Sequence, residues 1–531
     1  MNATISTLRP DRPTPETPAP PRPGGFVSDA LISLAIFAAF AALFVGCSAR
    51  APLWGDSAKL SIFLLDNDYG KRRLTSGMGH HTLTVAGGRL VADVAGLPPH
   101  RGLAVLSALC GAGSAALLFL LLRGYGLSQA VGLFCAAAFA MAHMNLFAFT
   151  VQESYAPMMV LWLGMLLCFQ ALRRTPSPVV SLVCGALVGL SVANHSLSVM
   201  LYGIVLFPAL VLRHGLRRSA APTLFGLIGF AAAFGPIYFL LMTPPDASVA
   251  LDQEIGSAFA SWVNYRSLPK GLVFFALWTG LQLPLVWLVI GVNVRQWRRP
   301  IVADIGPHLA VIAVTAVFTS MYIIQRRMLM MTIALPSILV LAAAAIDTLG
   351  LSSKSLRRLA PAAVVFNLVL YSAVAAVMGP LVTKIVPELR VNHWRPADYY
   401  FKPFAHLWTD PSQMRDELDE QFPPFETSGR LTSLVLDFTF VKPLLYYRLQ
   451  DGWREDIELI DTDFWLLDDE ATTERRVRDF LSHAAEEQSQ IVMAPYPDRV
   501  LGRLKMESFA DVEMKNDHAV VRPKPEFFPP R

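Results

Sequence analysis

Residues 26–47, FVSDALISLAIFAAFAALFVGC, carry one charge, Asp29, and the stretch that soon follows at 51–73, APLWGDSAKLSIFLLDNDYGKRR, brings Asp56, Asp66, Asp68 and the run Lys71, Arg72, Arg73. A membrane-crossing helix needs about 20 mainly apolar residues, which the first stretch supplies. It is too long for the apolar part of a signal peptide and lacks a small-residue cleavage site, so it is predicted to stay as the first membrane helix. The polar stretch therefore begins where the chain leaves the bilayer. Carboxylates and cations at that depth point to a loop that handles a charged ligand.

The rest of the chain agrees with a membrane setting. Its 531 residues are 53% hydrophobic and only 16% charged, against about a quarter charged in soluble proteins. The net charge of +4 is small, and no clustered basic face of the kind that binds nucleic acid appears. The five cysteines, Cys47, Cys110, Cys135, Cys168 and Cys184, lie in or beside apolar segments with no CxxC pair. Free thiols are expected rather than a disulfide framework or a zinc site. Residues 1–25 are rich in Pro and polar residues and read as a disordered tail.

About eleven spanning segments are expected, near 26–47, 102–122, 127–148, 155–172, 178–194, 197–212, 220–242, 271–293, 306–325, 328–349 and 359–380. Residues 82–95, TLTVAGGRLVADVA, are too short and too mixed to span and read as a re-entrant or interfacial helix beside the first loop, 48–101. With a cytoplasmic N-terminus, every inner loop is basic: Arg123; Arg173 and Arg174; Arg213, Arg217 and Arg218; Arg295, Arg298 and Arg299; Lys354, Arg357 and Arg358. The outer loops FTVQESYAP and NHS hold no Lys or Arg. Two places depart from this, Lys71–Arg73 and the pair Arg326–Arg327 in a short outer turn. Arginines held at a membrane surface in a tight turn want an anionic partner.

From about residue 381 to 531 the chain is charged and has no spanning run. LTSLVLDFTF reads as a strand, VKPLLYYRLQDG as a helix and REDIELIDTDFW as a strand. ATTERRVRDFLSHAAEEQS reads as an amphipathic helix with Thr caps, and QIVMAPY as a further strand. This alternation predicts a small extracytoplasmic α/β domain. No GxGxxG or phosphate-binding loop is present. Asp437, Asp461 and Asp463 fall near strand ends, where α/β sites form, or else cap the following helices.

Several segments carry a family resemblance. WGDSAKLSIF resembles the WGDS-E-(L/F) segment of the family related to protein O-mannosyltransferases, a subgroup of the GT-C glycosyltransferases, multi-spanning enzymes that use lipid-linked sugars. GHHTLTVAGGRLVADVAG, followed by RGLAVLSALCGAGSAALLFLLLR, is similar to that group's GRL helix and second span. VQESYAPMMVLWLGMLL resembles its AEVYALN segment, and QRRMLMMTIALPSILVLAA its RY-LP-YP-LAL span. The chain departs from the pattern at HHTLTV, which lacks the usual prolines, at Lys59 and at Met328. The likeness covers roughly the first 380 residues, most clearly 50–170, and more loosely the outer α/β domain, and implies a GT-C-like membrane domain over 26–380.

What the resemblance implies is transfer of a sugar from a polyprenyl phosphate to an acceptor hydroxyl on the extracytoplasmic face, with inversion. The Pro-rich N-terminus suggests a bacterial inner-membrane setting. The acceptor, whether protein, lipid or glycan, is not specified. Asp56 is the expected catalytic base, because the acceptor oxygen needs a group to take its proton; as a plain structural residue it would cap the helix that GDSAKLSIFLL opens. Glu153 is the second candidate acid, or a carboxylate favoured by a helix start. Arg326 and Arg327 are candidates for the lipid phosphate, or else snorkel to headgroups. His80, His81, Tyr155 and His195 complete the expected substrate site; for Tyr155 the alternative is an interface aromatic, for His195 a satisfied loop histidine. Some relatives use a divalent metal and others do not; Asp66 and Asp68, two apart near the first span, read as a turn, so none is assigned. The rival readings are a lipid or sugar transporter and a non-catalytic protein that keeps the fold. A transporter should show paired halves and charges at mid-membrane, and neither is evident.

Overall fold

The computed structural model places the described parts of all eleven apolar stretches mainly on helices. It describes residues 25–52, 56–65, 81–239, 266, 268–293, 305–321, 327–349 and 351–385, and then 432–436, 438–455, 457–462, 470–493, 501, 504–515 and 518–528. In chain order the helices are α1 (Gly25–Gly46), α2 (Asp56–Leu65), α3 (Thr82–Ala95), α4 (Pro99–Gly124), α5 (Gln129–Ala140), α6 (His143–Thr150), α7 (Tyr155–Arg174) and α8 (Pro178–Val192). Then α9 (Ser196–Leu201) runs through a π-helical turn, Tyr202–Leu206, into α10 (Phe207–His214), followed by α11 (Leu216–Ile237), α12 (Leu268–Gln282), α13 (Pro284–Val292) and α14 (Gly306–Met321). Next, α15 (Arg327–Met331) passes through a 3-10 turn, Thr332–Ala334, into α16 (Leu335–Thr348), and α17 (Ser353–Ile385) closes the membrane part. By length and apolarity, six helices among the described residues can cross a membrane, and eight if two bent pairs each count as one span. The expected short helix at 82–95 is α3.

The third and eighth expected spans are the two bent pairs. α5 and α6 meet at 66°, and α12 and α13 at 85°. A helix broken inside a bilayer frees backbone groups that lipid cannot satisfy. Here protein satisfies them. Asn145 Nδ2 donates to Phe139 O at 2.9 Å, and Asn367 Nδ2 to Met141 O at 3.3 Å. Gln282, the last residue of α12, accepts from the Met144 backbone N–H at 2.9 Å. The end of α12 therefore helps to complete the break between α5 and α6. Pro284 then opens α13, where its missing N–H costs nothing.

Close packing rests on small residues. Along α4, Gly102, Ala104, Ala108, Gly111, Ala112 and Ala115 are buried against neighbouring helices. A Cβ on Gly185 of α8 would sit 1.8 Å from Gly226 O, and one on Gly229 of α11 would sit 2.0 Å from Leu182 O. The two backbones touch, as small-residue helix pairs in membranes do. At the far end of α4, Arg123 Nε bonds both carboxylate oxygens of Asp29 at 3.0 Å, so the single charge of α1 is paired.

The C-terminal part holds β1 (Thr432–Leu436), α18 (Phe438–Asp451), β2 (Ile457–Asp461), α19 (Glu470–Glu486), β3 (Gln490–Met493), β4 (Ala510–Lys515) and β5 (His518–Pro523). The sheet order is β2-β1-β3-β5-β4, with the first three strands parallel and the last two antiparallel. The expected β-α-β-α-β core is present, with an antiparallel hairpin added. LTSLVLDFTF is not one strand: β1 stops at Leu436 and Phe438 already belongs to α18. The following residues explain this, because Val441, Leu444 and Tyr447 recur at helical spacing and are buried. α19 starts at Glu470, which puts Thr472 and Thr473 in its first turn rather than at its cap. Asp437 and Asp463 lie outside the described residues, and Asp461 is placed only as the end of β2.

Candidate functional site

The second polar loop, Val151–Ser154 between α6 and α7, is the hub around which other loops gather. Ala49 N–H donates to Thr150 O at 2.7 Å, which ties the end of α6 to the segment after α1. Gln152 is fully buried. Its Nε2 donates to Ala51 O at 3.1 Å, and its Oε1 accepts from the Ser57 hydroxyl near the start of α2. One side chain thus holds the chain on both sides of Trp54–Asp56.

Glu153 is 7% exposed. Its backbone is pinned to α4, with Ser107 Oγ donating to Glu153 O at 3.2 Å. Burial pushes its carboxyl up from 4.5 to about 8, and a hydrogen bond from the Ser154 backbone offsets part of that rise. A carboxyl poised near neutral pH can give or take a proton, and such groups concentrate at functional sites.

On the other side of Glu153, Ser154 O accepts from Asn194 Nδ2 at 3.1 Å. Asn194 is fully buried between α8 and α9. Its Oδ1 accepts from Thr84 Oγ1, and its backbone oxygen lies 3.0 Å from His81 Nδ1. A carbonyl only accepts, so His81 carries its proton on Nδ1 in this bond. Leu83 N–H donates to Ala193 O at 3.2 Å. The start of α3 is therefore laced to the loop that holds Asn194 and His195.

Three of the expected residues meet there. The His195 ring lies 5.3 Å from Tyr155 and 5.8 Å from His81. His195 Nδ1 also accepts from Leu197 N–H at 3.3 Å and so caps α9. Tyr155 is buried. Glu153 lies in the adjoining loop, two residues before Tyr155, the first residue of α7. Asp56 is the first residue of α2, and Arg327 the first of α15; their side chains, and all of His80 and Arg326, lie outside the described residues. Lys71–Arg73, Asp66 and Asp68 also lie outside them. Among the described residues, no three His, Cys, Asp or Glu side chains gather closely enough to hold a metal ion.

The C-terminal part docks beside this hub. α18 packs against α2, the helix that begins at Asp56. The Tyr446 hydroxyl lies 2.6 Å from His100 Nδ1, and His100 Nε2 lies 2.9 Å from Arg50 O. The carbonyl fixes the proton on Nε2, so Nδ1 accepts from the phenol. Next to it, Arg101 donates to Ser48 O at 2.9 Å and Ala49 O at 2.7 Å. Sequence reading did not single out Gln152, Ser57, Asn194, Thr84, Ser107, His100 or Tyr446. The available signal was weak: polar side chains flanking apolar helices.

With the geometry described, comparison places the fold. No family model matches the chain, and no curated protein sequence matches it. The crystal structure of ArnT from Cupriavidus metallidurans bound to undecaprenyl phosphate is similar at a TM-score of 0.52 and 15% identity, covering 96% of this chain and 99% of that one. Apo ArnT gives 0.44 at 14% identity over 96% and 99%. An apo oligosaccharyltransferase from Archaeoglobus fulgidus gives 0.38 at 10% identity over 88% and 69%. The protein is a polytopic helical membrane protein whose fold is like that of ArnT, with a small C-terminal sheet region.

Proposed function

We propose that this protein is a membrane glycosyltransferase that moves a sugar from a polyprenyl phosphate to an acceptor hydroxyl on the extracytoplasmic face. The single observation that carries this reading is the buried Glu153, in a loop whose flanking residues tie it to the start of α2 through Gln152 and, through Ser154, to Asn194 beside the His81–His195–Tyr155 group. The fold likeness to a structure that holds undecaprenyl phosphate supports the donor class. In this reading the Asp56 carboxylate takes the acceptor proton. The acceptor oxygen bonds the anomeric carbon in line, the carbon–phosphate oxygen bond breaks, and polyprenyl phosphate leaves as the anion. One base suffices, because the leaving phosphate needs no acid. The configuration at the anomeric carbon inverts.

Glu153 serves as a second acid facing acceptor or sugar. Arg326 and Arg327 pair with the donor phosphate through two-pronged guanidinium contacts. His80, His81, Tyr155 and His195 line the donor site. The motif likeness at WGDSAKLSIF favours the subgroup related to protein O-mannosyltransferases. In this reading the N-terminus is cytoplasmic, residues 26–380 form the catalytic membrane domain, and 381–531 form an extracytoplasmic domain.

The test uses full-length protein in liposomes with a panel of polyprenyl-phosphate sugars, measuring released polyprenyl phosphate. Turnover by the wild type and a loss of at least about 100-fold in Asp56→Asn, with donor binding kept, is the expected result. No release from any donor, or full turnover by Asp56→Asn, overturns it. Movement of an intact lipid-linked sugar across the bilayer without its cleavage would instead favour a transporter.

A further inference from the structure

We propose that Gln152 is a positioning residue that sets the separation of the two acid-bearing loops, acting through Ser57 and Ala51. The inference rests on the transferase reading above. Its basis is one buried side chain with two bonds to a different loop. Gln152 Nε2 donates to Ala51 O at 3.1 Å, and Gln152 Oε1 accepts from Ser57 Oγ. The amide cannot turn over, because that would set its oxygen against the Ala51 carbonyl, which has no proton to give. The two contacts therefore define one orientation.

Their placement in the sequence gives them their role. Ala51 and Ser57 bracket residues 52–56, so both ends of the stretch that finishes at Asp56 are held by the same amide. Gln152 is itself bonded to Glu153 through the main chain. Any shift of the first loop relative to the second must break at least one of the two bonds. Water does not compete for them: Gln152 is 0% exposed, Ala51 1% and Ser57 2%. Ser61 Oγ donates to Ser57 O at 2.8 Å and further fixes that first turn of α2. Across the hub Asn194 does the same for the backbone of Ser154, so the loop is gripped on both sides of Glu153.

A general base works only when it lies within hydrogen-bond reach of the proton it removes, and a displacement near 1 Å costs about 100-fold in rate. Donor binding by arginines elsewhere does not depend on that distance. Loss of the Gln152 bridge is therefore expected to lower kcat and leave the donor KM nearly unchanged.

The experiment compares wild type, Ser57→Ala, Gln152→Ala, the double variant and Gln152→Glu, reconstituted as full-length protein. Expected are falls in kcat of about 10- to 100-fold in each single variant, donor KM within about threefold, and a double variant no slower than Gln152→Ala alone. Gln152→Glu adds a readout that fold damage would not produce. Its protonated carboxyl can both donate to Ala51 O and accept from Ser57, while its ionised form cannot donate. Its kcat relative to wild type should recover as pH falls and be lost as pH rises. Ser57→Ala removes only a hydroxyl and keeps the test alive should Gln152→Ala fail to assemble. Unchanged kcat in the single variants, losses that multiply in the double, or a Gln152→Glu ratio flat with pH overturns the inference while the transferase reading stands. A wild type that releases no polyprenyl phosphate overturns both.

Discussion

The Tyr446 hydroxyl donates to His100 Nδ1 across 2.6 Å, joining a C-terminal helix to the first turn of α4 over 346 positions of sequence. Both side chains are buried, and the other imidazole nitrogen is committed to Arg50 O. The contact fastens the C-terminal part against the segment that leads from α1 into α2.

Tyr446→Phe should therefore leave a buried imidazole nitrogen without its donor. The expected cost is about 1–3 kcal/mol. Thermal unfolding in detergent should show a lower midpoint. Limited proteolysis should cleave the C-terminal part faster while α1–α17 stay protected.

Glu153 makes stability depend on pH. Its carboxyl is raised from 4.5 to about 8 by burial, so between these values the folded state holds a proton that the unfolded state has lost. The stabilisation is complete below about pH 4.5 and is lost as pH rises through about 8, a change on the order of a few kcal/mol. Wild-type unfolding midpoints should fall between pH 5 and pH 8.5. In Glu153→Gln, which cannot ionise, most of that fall should vanish, and the variant should lose sugar transfer at every pH. Parallel melting curves for the two proteins would contradict the burial of an ionisable group there.

Arg327→Ala should weaken binding of polyprenyl phosphate by about 10- to 100-fold, and Arg327→Lys should recover only part of it, because an ammonium lacks the two-pronged fit. Titration of undecaprenyl phosphate by microscale thermophoresis reads this directly. Equal affinity in all three proteins would remove the arginine from the donor site.

Gly229→Ala places a methyl about 2.0 Å from Leu182 O, a backbone atom that cannot swing aside, so α8 and α11 must part. The expected loss is about 1–3 kcal/mol in unfolding. Gly235→Ala on the same helix meets nothing within 4 Å and should be neutral, which makes it the matched control.

The first span was legible because about twenty mainly apolar residues have few other stable fates, and α1 lies where FVSDALISLAIFAAFAALFVGC predicts it. The same reasoning failed to see the bends at 141–142 and 283. Hydropathy sums transfer energies along the chain, and a broken span is as apolar as a straight one. The bend at 141–142 is held because Asn367 and Gln282 arrive from distant helices, and Asn145 from the next one, to satisfy the freed backbone. Tyr155 shows the same limit: an aromatic beside a loop carries no sign in the sequence that neighbouring helices bury it. Glu153 was legible as a carboxylate outside a span, but its depressed acidity was not, since desolvation is a property of surroundings.

By itself, then, the order of residues determined a polytopic helical protein with an α/β tail and named carboxylates and histidines at loop positions, because burial of apolar stretches and strand–helix alternation are local, additive effects. Only the tertiary structure decided that Gln152 would grip Ala51 and Ser57, that Asn194 would bind Ser154 and Thr84, and that Tyr446 would reach His100. Those pairings stand between 40 and 346 residues apart, and a hydrogen bond of that kind has no periodicity from which to read it.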